Sequence, residues 1–159
     1  MNRKRAADGF KSVDEESTEH VATATKAQYE ELAAFRYLLR RFLHFSENAV
    51  RAVGMTLHQH ETLLAIQGFP GRDYVTMGEL AERLQVKHNA AVGLVDRLSA
   101  DGLVERRPAE SDRRQVYVAL TPRGLDLLGQ LSAIHREELR RAGARLHAQL
   151  GRLIADHTK

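Results

Sequence analysis

No cysteine occurs among the 159 residues, which excludes disulfides, thiolate zinc sites and thiol-based redox sensing by this chain. No apolar run approaches the roughly 18 residues of a membrane span. The opening MNRKRAADGFKSVDEESTEH lacks the apolar centre of a secretory signal, so the expectation is a cytoplasmic protein that makes no use of a membrane. Also missing are a glycine-rich phosphate loop, a serine in a nucleophile elbow and a metal-ligand motif. Nothing therefore supports an enzyme, and no cofactor or metal is expected. The 8 histidines supply only pairs, His58 with Glu61 and His135 with Glu138, each three apart on one helix face and without a third ligand.

Net charge is nearly absent too. Lys and Arg outnumber Asp and Glu by 24 to 21, which permits nucleic-acid binding without arguing for it. Distribution is more informative. Arg106, Arg107, Arg113 and Arg114 stand within one short stretch against only Glu110 and Asp112, a concentration suited to phosphate. With 43% hydrophobic residues the chain can bury the core of one ordinary domain.

The order of patterns gives a mainly α protein with a small β-hairpin. Residues 1–25 are polar, rich in Ser, Thr, Glu and Lys, and read as a disordered tail. Over 26–55, Leu32, Phe35, Leu39, Phe42, Leu43, Val50 and Val53 recur at spacings of three and four, predicting one long amphipathic helix stopped by Gly54. Thr56 and Gln59 form a capping box for a second helix through Leu63, Leu64 and Ile66. Phe69-Pro70-Gly71 reads as a turn. Thr76 and Glu79 form another capping box, opening a third helix with Leu80, Ala81 and Leu84 inward. A fourth follows from about Lys87 to Ala100, with Ala91, Leu94, Val95 and Leu98 inward. Two short helices about a tight turn are the helix-turn-helix arrangement.

Periodicity then changes. Residues 103–107 and 115–120 read as two strands joined by the polar segment 108–114, a hairpin wing, so that 56–121 forms a winged helix-turn-helix. Thr121-Pro122 caps a new helix. Residues 122–159 carry Leu125, Leu128, Leu131 and Ile134, then Leu139, Leu146, Leu150, Leu153 and Ile154, read as two closing helices with a break at Gly143. The first helix and the closing helices have more apolar surface than this small core can cover. Pairing with a second copy is the economical solution, which makes them dimerisation helices and the protein a homodimer.

The stretch TMGELAERLQVKHNAAVGLVDRLSADGLVERRPAESDRRQVYVALTPRG resembles the multiple antibiotic resistance regulator (MarR) family of bacterial transcription factors. The resemblance rests on the order and spacing of Gly-Glu-Leu-Ala-Glu-Arg-Leu at 78–84, Leu-Val-Asp-Arg-Leu at 94–98, Gly-Leu-Val at 102–104, Asp-Arg-Arg at 112–114 and Leu-Thr-Pro-Arg-Gly at 120–124. It implies a ligand-responsive repressor that binds a palindromic site in double-stranded DNA as a homodimer. Relatives bind small aromatic acids or similar amphipathic molecules in a crevice between the dimerisation region and the DNA-binding lobe. His44 and His60, polar groups in apolar surroundings, are the candidates here.

The inward set of the fourth helix leaves Lys87, His88, Asn89, Ala90, Val92, Gly93, Asp96 and Arg97 outward. Asn89 can pair bidentately with adenine, His88 can meet a base edge, and Val92 or Ala90 can contact a thymine methyl; Asn89 can equally serve the helix terminus. Lys87 is a poor cap and suits a phosphate. Gly93 costs about 1 kcal/mol relative to Ala in a helix, which close approach of DNA would explain. Arg97 suits a phosphate or Asp101. Arg106 and Arg107 alternate faces, so at most one meets DNA. Of Arg113 and Arg114, one is expected in the minor groove and the other in a structural role, Arg113 being nearer the tip.

Overall fold

The computed structural model describes residues 24–109 and 115–155; residues 1–23, 110–114 and 156–159 lie outside it. Five helices and three strands follow in the order α1 (Lys26–Ala52), α2 (Leu57–Gln67), β1 (Tyr74–Thr76), α3 (Met77–Leu84), α4 (His88–Ala100), β2 (Val104–Pro108), β3 (Val116–Leu120) and α5 (Pro122–Ala155). No described helix is long and apolar enough to cross a membrane.

Three of these helices begin in the same way. At Thr25, Thr56 and Thr76 the hydroxyl accepts from the backbone three residues on, while Gln28, Gln59 and Glu79 respectively return a bond to the cap's own amide. Orphan amides of the first turn are thereby satisfied reciprocally. At Glu79 the device extends outward: Arg72 pairs with the same carboxylate and lays its guanidinium over the rings of Phe69 and Tyr74, 4.4 and 5.0 Å from their centroids.

The sheet is antiparallel with β3 in the middle, in the order β1-β3-β2. Val104 lies opposite Leu120 and Val75 opposite Val118. Strand β1 is an element the sequence reading lacked. Three residues are too few to show an alternation, and Thr76 serves as both the end of β1 and the cap of α3. Under the sheet, Leu63 and Ile66 of α2, Leu80 of α3, Val95 and Leu98 of α4 and Leu131 of α5 are fully buried. Leu64, in the apolar run of the second helix, is half-exposed, while Leu63 and Ile66 beside it are buried.

The expected pair of closing helices is one helix of 34 residues. Gly143 does not break it. A glycine inside a helix costs only about 1 kcal/mol, and the ion pairs of Glu137 with Arg140 and Arg141 at three and four residues support the turns just before it. α5 runs back along α1, tied to it where Gln149 Nε2 donates to the Glu31 carbonyl at 2.9 Å.

The join between lobe and α5 explains the Leu-Thr-Pro-Arg-Gly motif. Thr121 donates through its hydroxyl to the Gly102 carbonyl at 2.7 Å and through its amide to Leu103 at 3.0 Å. Arg123 Nη1 reaches the Asp101 carbonyl at 3.1 Å. Gly124 comes so close that a Cβ there would stand 2.0 Å from the Leu103 carbonyl oxygen. The motif clasps the end of α4.

Candidate nucleic-acid interface

Helix α4 buries Ala91, Leu94, Val95 and Leu98, the set its periodicity predicted. With that stripe fixed, Lys87, His88, Asn89 and Ala90 are exposed and Val92 and Gly93 half-exposed. The helix stands as a ridge between two open grooves. One is lined by His88 and Val92 with Met77 of α3, Arg106 of β2 and Val116 of β3. The other is lined by Asn89, Ala90, Gly93 and Arg97 with Thr56, His58 and Gln59 of α2.

The start of α4 differs from those of α1, α2 and α3. Lys87 occupies the cap position, has extended backbone and makes no side-chain cap bond, and, as in α1 and α2, no acidic residue lies in the first turn. The amides there are left without side-chain acceptors from the cap, and the positive end of the helix dipole is not offset. The Lys87 ammonium adds to that field.

Gly93 has no packing reason within the chain. The nearest atom to a Cβ built there is Arg97 Nη1, at 3.9 Å, which is ordinary contact. Of the two alternatives for Arg97, the Asp101 partner is absent: the Asp101 carboxylate accepts from Gln59 Nε2 at 3.4 Å instead. Arg97 is exposed and takes part in no ion pair found among the described residues.

The wing strands were expected at 103–107 and 115–120; the first stands one residue later, at Val104–Pro108, and the second begins one residue later but ends as expected, at Val116–Leu120. Both strand arginines are paired. Arg106 Nη2 meets Asp96 of α4 at 2.7 Å, and Arg107 is held by Glu105. Arg106 thus bridges the wing and α4, a contact the sequence pattern missed although Asp96 sits inside the Leu-Val-Asp-Arg-Leu motif. At the root of the wing the Ala109 amide donates to the Gln115 carbonyl at 3.0 Å. Arg113 and Arg114, with Glu110, Ser111 and Asp112 between the same ends, lie outside the described residues.

The two histidines singled out for an effector have different surroundings. His44 is exposed and bonds Asn48 Nδ2 at 3.2 Å. His60 is buried and stacks on His135, with centroids 4.8 Å apart. His135 was expected as a surface or satisfied histidine and is a satisfied buried one, bonded to Ser46 and to the Leu131 carbonyl. His58 is exposed. Among the described residues, no group of three or more His, Asp or Glu is placed to hold a metal ion.

Comparison with known proteins agrees with this geometry. The family model described as the MarR family matches residues 53–115, from the end of α1 to the far root of the wing. The HTH-type transcriptional repressor YetL of Bacillus subtilis is 29% identical over 122 residues, which cover 74% of this chain and 72% of that protein. The transcriptional activatory protein BadR of Rhodopseudomonas palustris is 31% identical over 109 residues, covering 68% of this chain and 62% of that one. Among solved structures, a mutant of MepR from S. aureus bound to an oligodeoxyribonucleotide superposes with a TM-score of 0.62 at 20% identity, over 80% of this chain and 96% of that one; at that identity the likeness shows the fold. Family match, curated relatives and architecture agree with the motif order: the winged lobe of this chain matches the MarR family, and the curated relatives are transcriptional regulators.

Proposed function

We propose that the protein is a cytoplasmic, sequence-specific repressor without catalytic activity, binding an inverted repeat in double-stranded DNA as a homodimer and released by a small aromatic or amphipathic effector. The observation that carries this reading is the uncapped, basic start of α4, raised between two grooves with Lys87, His88 and Asn89 exposed. Asn89 reads an adenine edge, His88 a second base edge and Val92 a thymine methyl. Lys87 and Arg97 meet phosphates, and Gly93 lets the backbone come close. Arg106, held by Asp96, sets the wing against α4 and keeps part of its guanidinium for a phosphate. Arg113 enters the minor groove with Arg114 behind it.

Dimerisation is supported by apolar surface that the single chain leaves open on α1 and α5, including Leu43, 46% exposed, and Leu150, 43% exposed. The MepR structure, bound to an oligodeoxyribonucleotide, supports DNA as the partner of this fold. An effector beside His44 and His60 is supported by the buried His60 Nδ1, which has no hydrogen-bond partner. Selection of duplexes from a random pool checks the whole. Inverted half-sites about 34 Å apart, one helical turn, are expected, with release of the selected duplex by a member of a panel of aryl acids. A pool that gains no sequence preference would end the reading.

A further inference from the structure

Away from the interface, α1, α2 and α5 meet at a buried polar patch. His60 of α2 and His135 of α5 lie face to face, centroids 4.8 Å apart and planes 13° from parallel. Phe42 and Phe45 of α1 stand edge-on to His135 at 6.4 and 6.2 Å. A carbonyl can only accept, so His135 Nδ1 donates to Leu131 O at 2.6 Å. The neutral ring then accepts at Nε2 from the Ser46 hydroxyl, 2.7 Å away. His135 is fully bonded, whereas His60 Nδ1 is buried with no partner.

This patch suits two neutral rings and is hostile to a charge. A proton on His135 Nε2 can be donated to Ser46 Oγ, but the cation then lies against the second imidazole. Among the described residues no carboxylate is paired with either ring. On α1, Glu47 is turned to Arg51 and His44 is exposed. On α2, His58 and Glu61 are exposed. On α5, Arg136 is exposed, Glu137 is taken by Arg140 and Arg141, and Glu138 makes no ion pair with either ring. Burial first, and the charge of His135 second, hold the His60 imidazole below its ordinary value.

We propose that the His60–His135 stack is a proton-sensitive joint between the α1/α5 arm and the winged lobe: a proton entering it loosens α2 from α1 and α5, so DNA affinity falls reversibly as the pH drops through the imidazole range. Helix α2 also packs on α3 and α4, so its seating determines where α4 points. The sign follows from linkage. A histidine whose value is depressed in the packed state binds fewer protons there than when opened. Packing is therefore favoured above the ordinary imidazole value of about 6.5 and progressively lost as the pH falls below it.

The DNA readout of this joint rests on the proposed function. Affinity for the selected duplex and urea unfolding of the full chain are measured from about pH 7.5 to 5.5 for the wild type, His60→Phe and His60→Gln. The phenylalanine ring keeps the stack and takes no proton. The wild type is expected to lose about tenfold in affinity, the equivalent of one pKa unit, and to unfold more easily in acid, while both variants hold their affinity. Variants that keep the wild-type pH dependence of affinity and unfolding would overturn the joint. Absence of any duplex binding at the upper pH would instead refute the functional reading, and the unfolding comparison would still decide the joint. Should neither variant fold, NMR titration of His60 in the wild type decides: an ordinary imidazole titration without shifts in neighbouring α1 and α5 resonances contradicts the proposal.

Discussion

The winged lobe and the helical arm bury different mixtures of side chain. Between Leu57 and Leu120 the inward residues are mostly apolar, with His60 and Thr62 of α2 the polar exceptions: Leu63, Ile66, Val75, Leu80, Val95, Leu98 and Val118 are all completely enclosed. Along the 27 residues of α1 only Ser46 and Val50 are buried, and α5 buries His135 and Gln149 alongside Gly124, Leu128 and Leu131. The same two helices leave Leu32, Leu39, Leu43, Ile134, Leu139 and Leu150 in solvent. Polar groups inside and leucines outside invert the usual order. The lobe is finished within one chain, whereas in the proposed homodimer the arm becomes a core when a second chain covers it.

That contrast breaks most visibly in the arm. Replacing Leu43 and Leu150 by Glu removes one buried leucine at each of two sites per chain. Burial of a leucine is worth about 1.5–3 kcal/mol, so even one site counted in both chains weakens association by about 10²- to 10⁴-fold. Sedimentation equilibrium is expected to show monomers whose lobe remains folded by circular dichroism. A double variant that stays dimeric would mean the arm pairs through another face.

At the seam, Gly124→Ala forces a Cβ to 2.0 Å from the Leu103 carbonyl oxygen, a backbone atom that cannot step aside. A loss of about 3 kcal/mol or more is expected, read as a lower urea midpoint. Gly93→Ala meets nothing nearer than 3.9 Å. It should stabilise the free protein by up to about 1 kcal/mol and yet weaken DNA binding. If Gly93→Ala leaves DNA binding unchanged, Gly93 returns to a neutral position and the DNA backbone moves away from it.

What could be read from the sequence follows this division. Periodicity showed the inward face of α4 because a short helix in a single-chain core has one buried stripe and no competing partner. Capping boxes at Thr56 and Thr76 were legible because each is a local exchange of bonds over three residues. The arm was legible only as surplus apolar surface. Gly143 looked like a stop, but supporting contacts along α5 outweigh one glycine, and no window of residues contains them. Strand β1 depends on a partner more than forty residues away. The Asp96–Arg106 and His60–His135 pairs escaped for the same reason, each joining elements that periodicity treats separately.

The division of labour between reading helix and wing is tested most directly by titrating the selected duplex and a scrambled one with wild type, Asn89→Ala and Arg113→Ala at several salt concentrations. A base-edge hydrogen bond carries sequence information, whereas a released counterion carries none. Asn89→Ala is expected to cost about 1–3 kcal/mol on the selected duplex and almost nothing on the scrambled one. Arg113→Ala should weaken both and flatten the salt slope by about one unit for each half-site. Equal losses on both duplexes for Asn89→Ala, or an unchanged salt slope for Arg113→Ala, would contradict the assignment of base reading to α4 and phosphate clamping to the wing.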